Sequence, residues 1–206
     1  MFEHLLTLLS AMKTIRRALL AAGILSACSF SRAATTVVLP GQDIQAIVNA
    51  AASGDVLHVL PGDYTGTIDV QGKNLTFRSS GATLPNLTKI TASGCKLVLK
   101  KLQIGELVID DAEGQPAELI ALRCRFGNVT SRASKAGIYY GDAKRLFIEN
   151  KAEIVGNYFN GLAHGGIGID VNGTGTQVSI RNNRIHDYKL STGATITEEC
   201  IGIRVR

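Results

Sequence analysis

The chain has 206 residues, 45% of them hydrophobic, with 22 Gly, 4 Pro and no Trp. That is one good-sized domain or two small ones, too apolar for disorder and rich in tight turns. Of the 22 basic and 17 acidic residues, Lys13, Arg16, Arg17, Arg32 and Glu3 lie in residues 1–33, so the 18 basic and 16 acidic residues from Ala34 onward nearly balance. A balanced body leaves no electrostatic footprint for nucleic acid, and aromatic residues at only 5% argue against a dedicated carbohydrate-binding module.

The first recognisable element is an address. "MKTIRRALLAAGILSACSFSRAATT" starts at Met12 with a basic Lys13, Arg16 and Arg17 and continues in an uncharged run from Ala18 to Ala27. That run is shorter than the roughly 20 residues that span a bilayer, and it reads as a secretory signal. Two exits are open. Ser31 and Ala33 suit cleavage before Ala34, whereas "LSAC" at Leu25–Cys28 resembles a lipobox that would lipidate Cys28. Residues 1–11 read as an upstream extension. The protein is therefore expected to be exported, periplasmic or extracellular, or else an outer-membrane lipoprotein that meets the membrane only through that anchor.

A short amphipathic helix follows, with Ile44, Ile47, Val48 and Ala51 on one stripe and Asp43 as its N-cap. "SGD" at Ser53–Asp55 ends it, Val56–Leu60 alternates as a strand, and "PGDY" at Pro61–Tyr64 reads as a turn. Beyond Tyr64, short β-rich segments recur between Gly, Asn and Asp turns. "EIVGNYF" aligns on "SIRNNRI" with Ile154 over Ile180, Asn157 over Asn183 and Phe159 over Ile185, a spacing of 26. "IGIDV" aligns on "IGIRV" with Ile167 over Ile201, a spacing of 34, the excess forming a loop near Leu190–Thr197. "LRCRF" places Cys124 under Asn157 at a spacing of 33. Repeats of this length indicate a solenoid.

The expected architecture is all-β: a right-handed single-stranded parallel β-helix, each coil giving three short strands. Its parts are the extension and signal (1–33), the N-terminal cap and first strand (34–66) and the coils (67–206). Room exists for about five or six coils at these spacings. Asn157 and Asn183 are expected at a left-handed bend, with amides bonding along the axis; sugar contact is the alternative. Cys95, Cys124 and Cys200 are odd in number and lack metal-ligand spacing, so they read as inward free thiols, or as one Cys95–Cys124 bridge. The chain stops inside a strand, at "CIGIRVR", which reads as a truncated chain or fragment, or one needing a partner there.

The stretch Ile44-Gln45, Ile47, Ala51, Gly54-Asp55, Leu57, Val59, Pro61-Gly62 and Tyr64 resembles the N-terminal signature of right-handed parallel β-helix proteins. That pectate-lyase-like group includes polysaccharide lyases and NosD-like periplasmic proteins. The resemblance covers about 20 positions. It implies that the helix caps the first rung, where an open end would expose core and strand edges. It also implies a secreted protein acting on or binding an acidic polysaccharide or cell-envelope glycan. The alternatives are a non-catalytic envelope or surface scaffold, a glycan-binding β-helix, or a truncated inactive fragment.

In the lyases of that group a groove on an outer sheet holds the uronate, Ca²⁺ often neutralises its carboxylate, and Arg or Lys removes the proton. Outward residues one coil apart are therefore the candidates. Asp170 and Arg204 are equivalent by the repeat, and Arg181, Arg184, His186 and Asp187 follow on the next faces, with His164 in the loop before "GGIGID". Arg181, His186 and Arg204 are the catalytic candidates; His164, Asp170 and Arg184 are the substrate-binding ones. The bland alternative for Asp170 and Arg204 is a surface cross-strand ion pair. Asp110 and Asp111 could hold Ca²⁺, but "DDAEGQP" also reads as a solvated loop. No cofactor is evident otherwise, Ca²⁺ entering by resemblance alone, and no lyase catalytic motif matches residue by residue.

Overall fold

The computed structural model describes residues 33–160, 166–172, 177–186 and 200–206, with backbone alone at 166–167 and 200–202. Its elements are β1 (Thr35–Val38), α1 (Ile44–Ala50), β2 (Val56–Val59), β3 (Asp63–Gln71), β4 (Leu75–Arg78), β5 (Asn86–Ser93), β6 (Lys96–Lys100), β7 (Gln103–Asp110) and β8 (Glu118–Leu122). They continue as β9 (Arg125–Arg132), β10 (Lys135–Tyr139), β11 (Asp142–Ile148), β12 (Lys151–Val155), β13 (Tyr158–Asn160), β14 (Gly166–Val171), β15 (Val178–Arg181), β16 (Arg184–His186) and β17 (Cys200–Val205). Among the described residues the chain is mostly β, and every named strand pairing is parallel.

Two sheets alternate along the chain. The first runs β1-β2-β4-β6-β8-β10-β12-β15, and the second runs β3-β5-β7-β9-β11-β13-β16, with β14 pairing β11 and β17. Each winding thus leaves one strand in each sheet before returning one layer on, a solenoid-like path. Layers lie about 4.8 Å apart by the ladder spacing.

Inward residues stack in register because one face of every strand is apolar at period two. On the first sheet, Leu57, Phe77, Leu99, Ala121, Ile138, Ile154 and Ile180 form one column. On the second, Tyr64, Leu87, Ile104, Phe126, Ala143, Phe159 and Ile185 form another. Sizes compensate within a winding: Ala121 is followed by Phe126, and Ala152 by Phe159, so neither overfills the interior. The register of Ile154 on Ile180, Phe159 on Ile185 and Ile167 on Ile201 is the one the repeat predicts.

Several details differ from the sequence reading. Among the described residues seven windings start from first-sheet strands β2 to β15, rather than the expected five or six, because some coils are far shorter than 26 residues: Ala136 pairs with Ala152 and Asp142 with Tyr158. For the same reason the spacing of 33 skips a layer. Gly141 sits between Cys124 and Asn157, its N–H reaching the Asn157 Oδ1 at 2.9 Å. A Cβ on Gly141 would stand 2.3 Å from the Cys124 carbonyl oxygen, so no larger residue fits there. Strand β1 lies ahead of the helix, where no strand is expected; its β-branched "TTVV" pairs with β2. Asp63 and Tyr64 belong to β3 rather than to a turn, because the Tyr64 ring is an inward core residue. In most windings the expected second and third strands are one continuous strand bent at its middle. Among the described residues they separate as β13 with β14 and as β16 with β17.

The N-terminal signature has a physical role at each position. Asp43 caps the helix, accepting from the Ala46 N–H at 3.0 Å, and Ile44 and Val48 bury against the core. Gln45 supplies the edge of β3 with a missing neighbour: its amide donates to the Asp69 carbonyl and accepts from the Asp69 N–H at 2.7 Å. Asp55 is buried and accepts from the N–H groups of Ala34 and Ala52, both at 2.8 Å. The Tyr64 hydroxyl shares its one proton between the carbonyls of Leu60 and Val38, at 2.9 and 3.0 Å. In β17, Ile203 and Val205, in register with the inward Ile169 and Val171, are exposed.

Within strand β9 a polar residue takes an inward position. Ser131 stacks between Ile109 and Ile148, is 1% exposed, and its hydroxyl has no hydrogen-bond partner. A buried hydroxyl without a partner costs about 1–3 kcal/mol. Ser131→Ala is therefore expected to raise unfolding stability by about 1 kcal/mol in urea titrations. A loss of stability would mean that the hydroxyl is satisfied in solution.

Candidate functional site

The sequence-derived candidates fall into separate groups. Asp170 in β14 lies beside Arg204 in β17, as the repeat predicts, and accepts from its Nε at 3.1 Å and Nη2 at 2.7 Å. Arg206 Nη2 adds a third bond at 2.8 Å. The Arg204 guanidinium, aided by Arg206 against the opposing effect of burial, holds the Asp170 carboxyl below the usual carboxylate range. This pair faces outward in register with Phe147, yet Asp170 is only 8% exposed because the two arginines cover it. Arg181 lies on the first sheet and pairs with Glu153, whose other oxygen accepts from the Tyr139 hydroxyl at 2.9 Å. Arg184 and His186, in β16 on the second sheet, surround Tyr158: the guanidinium lies 5.9 Å from the ring centroid and the imidazole packs edge-on at 4.6 Å. The described contacts therefore join Asp170 to Arg204, and Arg184 and His186 to Tyr158. Cys28, His164, Asp187 and the Leu190–Thr197 loop lie outside the described residues.

Asp110 and Asp111 are engaged by the protein itself. Asp110 pairs with Arg132 at 3.2 Å. Asp111 accepts from the N–H groups of Ala117 and Ser134, at 2.7 and 2.8 Å, and from the Ser134 hydroxyl at 2.6 Å. Burial raises its pKa, but these donors outweigh burial and leave it lowered. Its geometry is that of a loop anchor tying one winding to the next. Among the described residues, no three His, Cys, Asp or Glu side chains cluster closely enough to hold a metal ion.

The two described thiols are inward and free. Cys95 and Cys124 are each 2% exposed and sit at different corners of the winding. Burial pushes the Cys124 thiol up to about 11 and also raises that of Cys95. Asn157 and Asn183 do bond along the axis, the Asn157 N–H and Nδ2 reaching the Asn183 Oδ1 at 2.8 and 3.1 Å. The left-handed residues, however, are the preceding ones, Gly156 (φ 67°) and Asn182 (φ 56°). The amides therefore point inward to bond carbonyls such as that of Ile138, at 2.8 Å, rather than outward to a sugar.

The same corner carries a feature that the sequence reading overlooks. Lys101, Arg123 and Tyr140 hold left-handed backbone at φ 55°, 54° and 54°, one above the other in successive windings. Ladder bonds fix them there: Lys101 N–H to Leu122 O at 3.0 Å, Arg123 N–H to Tyr139 O at 2.9 Å, and Tyr140 N–H to Val155 O at 3.0 Å. Non-glycine residues are uncommon in this conformation. Beside this corner lies a groove of about 260 Å³, lined by Arg78, Ser79, Lys100, Lys101, Leu122, Arg123 and Tyr140. Arg78 and Lys100 are direct register partners in β4 and β6. Among the described residues none of the four cations forms a salt bridge. The Ser79 hydroxyl is buried and unpartnered.

Charge is divided between the sheets. Strands of the first sheet carry six basic residues against Glu118 and Glu153, with Lys101 and Arg123 directly following β6 and β8. Strands of the second carry seven basic and six acidic residues, many of them paired, such as Lys89 with Glu106 at 3.0 Å and Arg132 with Asp110. The near-zero charge of the body is thus an average over a cationic face and a neutral one. The signal was present in the sequence: Arg78 to Lys100 and Lys101 to Arg123 are each spaced by 22 residues, one winding. No family model, curated protein or solved structure matches this chain.

Two outcomes follow. Cys95 and Cys124 should resist thiol-labelling reagents in the folded protein and react once denaturant unfolds it. Peptide mapping that finds them rapidly modified, or joined, under native conditions contradicts the packing. Asp111→Ala should lose roughly 0.5–1 kcal/mol at neutral pH. Because folding lowers this pKa, the wild-type advantage exists above the ordinary aspartate value of 3.8 and fades as pH falls through the folded value. A pH series of unfolding curves checks this, and a gap that widens in acid would refute it.

Proposed function

We propose that the chain is an exported right-handed parallel β-helix related to the pectate-lyase-like group, and that its first-sheet face binds acidic polysaccharide. The observation that carries the binding reading is the row Arg78, Lys100, Lys101 and Arg123, four cations on one groove with no salt-bridge carboxylate among the described residues. Uncompensated charge on one face draws polyanions and raises their local concentration. The fold reading rests on parallel strands that return layer on layer, for which a right-handed crossover is the near-universal hand. It rests also on the capping signature, where Gln45, Asp55 and Tyr64 each satisfy backbone groups at the first rung. The basic and apolar segment from Met12 supports export.

Binding is the leading reading because the groove lining includes no carboxylate for general acid or base work. A second reading, β-elimination on the same face, draws on the lysine amines beside two guanidiniums: a guanidinium neutralises a uronate carboxylate, an uncharged amine takes the proton from the adjacent ring carbon, the C–H electrons form the ring double bond, and the glycosidic oxygen leaves from the β carbon with a proton from water.

Calorimetric titration with polygalacturonate, alginate and a sulfated glycan tests the proposal. At least one should bind, with affinity falling steeply as salt rises. Lys101→Ser combined with Arg123→Ser should weaken it about tenfold or more, equivalent to about 1.4 kcal/mol, and Lys89→Ser on the other sheet should leave it unchanged. Failure of the wild type to bind any of the three rejects the reading. Ultraviolet absorbance of an unsaturated product would move the conclusion from binding to elimination.

A further inference from the structure

We propose that Tyr140 is a stacking platform, and that the groove recognises a sugar ring carrying an anionic substituent rather than polyanionic charge alone. This inference rests on the binding reading of the same groove and narrows its ligand. Tyr140 is 62% exposed although its neighbours in the inward columns are sealed. It follows Arg123 by one winding at the same corner, so its Cα lies about 4.8 Å further along the axis.

The next layer is built to receive the ring. Gly156 occupies the equivalent corner at φ 67°, and a Cβ there would come within 2.7 Å of the Tyr140 ring. The ring therefore lies in the space a side chain at 156 would need, supported from beneath and open to the groove. Tyr140 shares its left-handed backbone with Lys101 and Arg123, so the corner projects the ring outward as it projects their charges. Half-buried Leu122 adds an apolar floor beside the cations. Point charges suit any polyanion. An aromatic surface one layer beyond them suits a ligand that alternates an apolar face with a charge, as a pyranose with a carboxylate or sulfate does.

Single-stranded nucleic acid also combines stacking with charge, but it uses successive aromatic platforms. Here the preceding aromatic, Tyr139, is not available: its ring lies over Gly137 and its hydroxyl is bound to Glu153. One platform at the end of a cation row favours a sugar.

The test uses the full chain with three probes: polygalacturonate, inorganic polyphosphate and oligothymidylate. Tyr140→Asn, chosen because asparagine tolerates left-handed backbone, and Tyr140→Phe are compared with Arg123→Ser. Tyr140→Asn should weaken polygalacturonate about tenfold and change polyphosphate less than about twofold, with Tyr140→Phe close to wild type. Arg123→Ser should weaken both. If Arg123→Ser changes neither, the groove itself is not the site. If Arg123→Ser weakens both but Tyr140→Asn weakens them equally or not at all, the platform is refuted while the groove stands. Oligothymidylate bound more tightly than polygalacturonate, with Tyr140 dependence, would overturn the sugar assignment. Unchanged thermal midpoints of the variants exclude misfolding as the cause.

Discussion

Everything in this molecule hangs on parallel register between successive windings. Inward columns such as Leu57 to Ile154 and Tyr64 to Phe159 are buried only because each strand lies directly over the last. A shift of one residue would turn every apolar side chain outward. The same register decides the outer surface. Residues far apart in sequence become neighbours along the axis, and any type repeated once per winding becomes a row.

Such an assembly has a vulnerable first layer, because its edge strands carry unpaired backbone groups. The N-terminal segment answers this with β1 on the first sheet and with side chains at the edge of β3 on the second. Gln45 meets the backbone of β3, Asp55 gathers the N–H groups of Ala34 and Ala52, and Lys73 Nζ donates to the carbonyls of Val48, Asn49 and Ala51 at the helix end, at 3.0–3.2 Å. The helix needs little intrinsic stability, since at seven residues it is held by its packed face and these bonds.

The corners combine structure with surface chemistry. The Asn157–Asn183 amides and the left-handed column of Lys101, Arg123 and Tyr140 occupy the same bend, one pointing in and the other out. Inward amides close the backbone bonding. Outward side chains from strained backbone sit proud of the sheet, beside the register row of Arg78 and Lys100. A cationic edge thus arises on a body whose total charge is close to balanced, while ion pairs such as Lys89–Glu106 neutralise the other sheet.

By itself the sequence determined the period-two core, the capping helix with its Asp43 cap, and the pairing of Ile154 with Ile180 and Asp170 with Arg204, because these depend on local pattern and on spacing within one repeat. It could not determine layer number, since coil lengths vary and a spacing of 33 spans two windings as easily as one. Nor could it place the left-handed residue, which depends on how the bend closes its hydrogen bonds. Above all, the cation row was invisible to a sum over the chain: charge adds without regard to position, whereas the winding sorts side chains by face. Only tertiary structure brought Arg78, Lys100, Lys101, Arg123 and Tyr140 to one groove, because neighbours along a solenoid are set by register across windings and not by proximity in sequence.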